Sequence, residues 1–171
     1  MDIRYSANQR DVKRYTTQEL RDEFLIQNLY AANEVVAVYS HVDRMVTLGC
    51  MPTTETVSID KGIDCWKNFG THYFLERREI GIFNIGGSGR IVADGQEFQM
   101  GYKDCLYITK GTKEVYFSSD DASAPAKFYM VSAPMLACLL ACLLTIMFSS
   151  FTLSTLTLSF HSHYHPSVCF F

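Results

Sequence analysis

Tyr73–Val115 reads YFLERREIGIFNIGGSGRIVADGQEFQMGYKDCLYITKGTKEV, and its punctuation decides the fold. Short apolar runs alternate with glycine turns. Glu79–Ile85 reads as a strand and Gly86-Gly87-Ser88-Gly89 as its turn. Arg90–Ala93 follows, then Asp94-Gly95, the dipeptide of a type I′ hairpin. Gln96–Met100 pairs back, Gly101 turns the chain, Cys105–Thr109 is the next strand, and Gly111 turns again. Short strands with turn signals this close predict an all-β sandwich or barrel.

The pattern extends outward in both directions. Val115–Ser119 and Lys127–Ser132 read as further strands downstream. Upstream, Glu34–His41, Met45–Met51 and Thr54–Ile59 are short, β-branched and bounded by turn residues, with Pro52 closing one of them. Ahead of these, Thr16-Thr17-Gln18-Glu19 fits a capping box, which predicts a short helix over about 17–27 with Leu20 and Phe24 on one face.

Composition divides the chain. All 15 basic and 18 acidic side chains lie in residues 1–127, and none follows Lys127. Residues 135–155 form an uncharged apolar run long enough to cross a bilayer as a helix. The remainder is rich in Ser, Thr, Leu and Phe, and no strand of the barrel is expected there. The division is therefore a barrel over 1–134 and an unrelated tail over 135–171, which is a wrong continuation of the reading frame, a membrane anchor, or the tail of a truncated soluble protein docked on the barrel. As an anchor, with Lys110, Lys113 and Lys127 ahead of it and no positive charge beyond it, it would keep the barrel cytoplasmic. The N-terminus, MDIRYSANQRDVKRY, has no apolar core of a secretory signal, so the expected location is the cytoplasm. A net charge of −3 with no basic stripe excludes nucleic acid as the expected partner. The six cysteines (Cys50, Cys65, Cys105, Cys138, Cys142, Cys169) contain no C-x-x-C pair, and free thiols are expected.

Two degenerate metal-barrel motifs lie in the quoted stretch. In the first, H-x-H-x(3,4)-E-x6-G, His72-x-Phe74 is followed at the right spacings by Glu79 and Gly86, with Phe74 in place of the second histidine. In the second, Gly101 is followed by five residues to Tyr107 and then by Thr109-x-Gly111-x2-Glu114. There Thr109 replaces a proline and Glu114 a histidine. On a strand, H-x-H would aim two imidazoles into the barrel, where Glu and a later His complete a site for a first-row metal. The turn spacing survives and the ligand set does not. An apolar filling around Phe74 is the simpler expectation, and His72, Glu79 and Glu114 are the only three-ligand alternative.

An ordered series of short segments makes the resemblance specific. These are Leu20-Arg21-x-Glu23-Phe24-Leu25, Tyr39-Ser40-His41-x-Asp43-Arg44, Met51-Pro52, Phe74-Leu75-Glu76-Arg77-Arg78-Glu79-x-Gly81, Asn84-Ile85-Gly86-Gly87 and Pro125-Ala126-Lys127-Phe128-Tyr129. Together they resemble the N-terminal half of the 5-keto-4-deoxyuronate isomerases, over Met1 to Pro134. The resemblance implies a cupin-like jelly-roll barrel with a short N-terminal helix. It also implies a second such barrel in the complete enzyme and a homo-oligomer, hexameric in that family. The implied reaction is an aldose–ketose proton shift on 4-deoxy-L-threo-5-hexosulose uronate from pectin breakdown, through an enediol and with zinc as Lewis acid. The family's zinc ligands lie in the second barrel, so no catalytic residue and no metal ligand carries over to this chain. Alone it is expected to be inactive.

Three arginines are the candidate substrate-binding residues, since an Arg fork matches a carboxylate: Arg44, Arg77 and Arg78. Lys127 belongs with them. The alternative is that Asp43, Glu76 and Glu79 pair with them on the barrel wall. His41 reads as a turn or core histidine before a base. The functional alternative of a different class is a non-catalytic cupin that oligomerises or tethers a binding module to a membrane. The three histidines of His161-Ser-His163-Tyr-His165 have no carboxylate downstream to complete a metal site.

Overall fold

A computed structural model describes residues 1–134 and 168–170. Apolar alternation builds two sheets. The larger runs in the order β1 (Asp2–Arg4), β2 (Val35–Ser40), β3 (Met45–Cys50), β10 (Phe128–Ala133), β5 (Glu79–Asn84), β8 (Cys105–Ile108) and β11 (Val168–Phe170). The smaller runs β4 (Val57–Ser58), β9 (Val115–Ser119), β6 (Gly89–Ala93) and β7 (Gln96–Met100). Every pairing is antiparallel except β1 on β2, where Asp2 lies opposite Val38.

Successive strand residues point to opposite faces, so each strand contributes alternate side chains to the space between the sheets. Leu48, Ile80, Ile82, Leu106, Phe128 and Met130 enter from the larger sheet, and Ile91, Met100, Val115 and Phe117 from the smaller one. All are buried in one cluster. Phe74 joins them at 1% exposure, as the apolar filling predicted. A second cluster of Cys105, Tyr107 and Ala133, with Phe83 and Val131 against it, has the opposite parity and lies on the other face of the large sheet.

The hairpin β6–β7 turns through Asp94 at φ 45° and Gly95 at φ 83°, both in the left-handed region a type I′ turn requires. The capping box is complete. Thr16 N–H donates to Glu19 Oε2 at 2.6 Å, and Glu19 N–H returns to Thr16 Oγ1 at 3.3 Å. The helix it starts, α2 (Thr17–Phe24), ends three residues before the expected Gln27, because Leu25 is already extended at ψ 131°. None of its residues is buried, so its cap matters more than its apolar face.

Four expectations need correction. Thr54–Ile59 shortens to Val57–Ser58 because the Asn33 amide oxygen takes the N–H groups of Thr53, Thr54 and Glu55 at 2.7, 3.1 and 3.4 Å, away from any strand ladder. A short α1 (Gln9–Val12) and the parallel edge strand β1 were not expected. Nor was α3 (Cys65–Phe69), capped by Asp64 at one end and by left-handed Gly70 at the other. Lastly, the tail does reach the barrel: Val168, Cys169 and Phe170 pair with Ile108, Tyr107 and Leu106 on the edge of β8. The apolar run 135–155 and His161, His163 and His165 lie outside the described residues. Among the described residues no helix is long and apolar enough to cross a membrane.

Candidate functional site

The strand β5 begins with Arg78 just before it and Glu79 as its first residue, and the two go to different places. Arg78 is 5% exposed. Its Nε donates to Ser132 Oγ at 3.2 Å, and its Nη2 donates to the carbonyls of Ser132 at 2.9 Å and Arg44 at 2.6 Å. The guanidinium lies 5.1 Å from the Phe69 ring centroid and 5.8 Å from that of Tyr39. Burial pulls its pKa down to about 10, which the Tyr39 hydroxyl partly opposes. Around it the rings connect in sequence. Tyr5 stacks on His41 at 4.4 Å, His41 meets Tyr39 edge-on at 4.8 Å, Tyr39 meets Phe69 at 5.7 Å, and Phe69 meets Phe74 at 5.7 Å. An aromatic ladder with one embedded cation therefore runs from Tyr5 to Phe74. No local sequence motif marks Tyr5, Tyr39 or Ser132 for this arrangement.

The three candidate arginines do not act alike. Arg44 sits in the β2–β3 turn at φ 54°, turning its carbonyl to Arg78 while its own side chain is exposed. Arg77 is exposed. None of the three, nor Lys127, makes an ion pair among the described residues. The wall pairs are absent there for Glu76 and Glu79 because these carboxylates have other partners. Glu76 accepts from His72 N–H at 2.6 Å, and Glu79 accepts from the Tyr107 hydroxyl at 2.7 Å. His41 lies in the turn after β2, as read, with its ring in the ladder.

The degenerate metal positions scatter. Residues 73–77 form turns and bends and no strand, so His72 is exposed. Its ring packs 5.5 Å from Trp66. Glu79 has opposite parity to Ile80 and Ile82, which face the core. It is therefore directed to the outer face of the large sheet, where it is 5% exposed beside Tyr107. Glu114 is exposed, its N–H held by Asp94 Oδ1 at 2.9 Å. Among the described residues no group of three His, Cys, Asp or Glu side chains is placed to hold a metal. The donor set of this barrel thus does not fit a zinc ion; the zinc that the resemblance implies would belong to the second barrel.

The two-sheet antiparallel barrel with glycine turns defines the class: a cupin-like β-barrel. No family model matches the chain. Two solved cupins share limited likeness with it. A cupin protein from Bacteroides fragilis has a TM-score of 0.39 and 14% identity, covering 54% of this chain and 68% of that one. A Cupin 2 conserved barrel domain protein from Salinispora arenicola has a TM-score of 0.40 and 14% identity over 66% and 82%. Relatives by sequence are far nearer. The 4-deoxy-L-threo-5-hexosulose-uronate ketol-isomerase of Lachnospira eligens is 48% identical over 134 residues, which is 78% of this chain and 46% of that protein. The Escherichia coli enzyme of the same name is 49% identical over 134 residues, 78% of this chain and 48% of its own length. Over those 134 residues the chain is a homologue of the 4-deoxy-L-threo-5-hexosulose-uronate ketol-isomerases. It spans about half the length of these curated relatives, as an N-terminal half would.

Proposed function

We propose that this chain is the non-metal half of an aldose–ketose isomerase acting on 4-deoxy-L-threo-5-hexosulose uronate, a sugar acid of pectin breakdown. The observation that carries it is the 48–49% identity with ketol-isomerases over 134 residues. The reaction class needs a base that removes a proton α to a carbonyl and an electrophile at the oxygen. The resemblance assigns the electrophile's ligands to the second barrel, and on that reading this region by itself should not turn over substrate. Its own contribution is a rigid barrel and the exposed guanidinium groups of Arg44 and Arg77, whose planar forks suit a carboxylate. The working form is a homo-oligomer in the cytoplasm, hexameric if it follows the resemblance.

The test is an isomerase assay on the full chain with added zinc, alone and mixed with the C-terminal half of the Lachnospira eligens relative. No turnover alone and turnover in the mixture are expected. Zinc-dependent turnover by the chain alone overturns the non-metal assignment. A mixture that associates without turnover overturns the isomerase reading in favour of a non-catalytic binding module.

A further inference from the structure

Residues 1–25 form an arm at the edge of the large sheet, and its helices give nothing to the core. No residue of α1 or α2 is buried. A helix of eight residues, even with a complete capping box, is too short to hold itself in water by backbone bonds alone; most helical stability comes from packing an apolar face. α2 has such a face, since Leu20 and Phe24 lie one turn apart. Yet Phe24 is 58% and Leu25 44% exposed. Arg4 fixes where this face lies. Its guanidinium donates to the carbonyls of Glu23 at 3.1 Å and Leu25 at 3.3 Å, which ties the end of α2 to β1. In turn β1 is the outermost strand of the large sheet and pairs only with β2. An uncovered apolar helix end thus sits beside an open strand edge, and folded proteins ordinarily cover both.

Charge identifies the cover. Residues 9–15 carry three basic side chains (Arg10, Lys13, Arg14) and one acidic, whereas residues 17–24 carry three acidic (Glu19, Asp22, Glu23) and one basic. None of these eight is in an ion pair among the described residues. A surface that holds both signs in two separate blocks is complementary to itself when turned over by a two-fold axis. We propose that the arm is an interface between two copies of this chain. Leu20, Phe24 and Leu25 of the two copies would meet near the axis, with α1 of each facing α2 of the other. This surface belongs to the homo-oligomer proposed above and rests on that reading for the oligomer itself, not on isomerase chemistry.

Sedimentation velocity of the full chain at low salt, read as the Kd of self-association, tests the interface. Phe24→Ala should weaken association at least about tenfold, because both copies lose the contact. The pair Arg10→Glu and Arg14→Glu makes both helices acidic, and the pair Asp22→Lys and Glu23→Lys makes both basic. Neither charge variant should associate with itself, and the two mixed should associate with each other. None of the substituted side chains is buried and the Thr16–Glu19 cap is untouched, so the native far-UV circular dichroism should persist. Association that neither Phe24→Ala nor the charge variants disturb overturns this interface and leaves the oligomer to another surface. Charge variants that stay apart when mixed overturn the two-fold arrangement. A monomeric full chain overturns the interface and the homo-oligomer together, whatever the isomerase assay reads.

Discussion

Arg78 holds a guanidinium where burial would ordinarily admit only carbon. It is tolerated because three of its N–H groups find acceptors and two aromatic faces lie within 6 Å. A lysine at this position keeps the charge and loses the fork. Arg78→Lys is therefore expected to cost about 2 kcal/mol of unfolding free energy in urea melts; a loss under 0.5 kcal/mol would show that the clamp is incidental. The buried thiols give a pH prediction. Cys50 and Cys105 have their pKa pushed up to about 12, first by burial, so the folded chain keeps protons that the unfolded chain sheds from about pH 9. Their contribution to stability is complete below pH 9 and is lost as the pH rises toward 12. At pH 9 both thiols should resist alkylation in the native protein and react once it is unfolded.

At the scale of the element, two glycines with the same sequence signal do different work. Gly95 has φ 83° and open space where a Cβ would go, so Gly95→Ala should cost only backbone strain, about 1 kcal/mol. At Gly87 a Cβ would meet the Ala124 carbonyl oxygen at 1.9 Å, and backbone must move. Gly87→Ala should cost about 3 kcal/mol, and thermal melts of the two variants would order them. Local chemistry of the first kind was legible in the sequence. The Asp94-Gly95 hairpin, the Thr16 capping box and the apolar alternation of β2, β3 and β5 to β10 all follow from neighbours a few residues apart. Contacts that span the chain were not legible. Nothing near Thr53–Glu55 announces that Asn33, some twenty residues earlier, will take their N–H groups and cut a strand short. Asp64 and Gly70, the caps of α3, are local signals of the same legible kind.

At the scale of the molecule, the same division governs the candidate site. Motif spacing placed His72 and Phe74 on a strand aimed into the barrel, with Glu79 at the start of the next run to complete the set. A turn over residues 73–77 separates them instead, sending Phe74 into the core and Glu79 to the outer face. Spacing can only stand for geometry when a single element carries all the positions. The order of the large sheet has a further consequence. Its centre, between β3 and β5, is occupied by β10, the last strand of the barrel proper, which bonds to both neighbours along nearly its whole length. During synthesis on the ribosome the nascent chain therefore carries two open strand edges facing an empty slot, and Arg78 lacks Ser132, until about residue 134 has left the exit tunnel. Open edges pair indiscriminately. Stalled chains ending at residue 126 should be degraded by a brief protease pulse, whereas chains stalled with residue 134 fully emerged should resist it. For this protein the hazard of birth is a vacancy in the middle, filled last, and a chaperone that shields sheet edges would be needed for that interval alone.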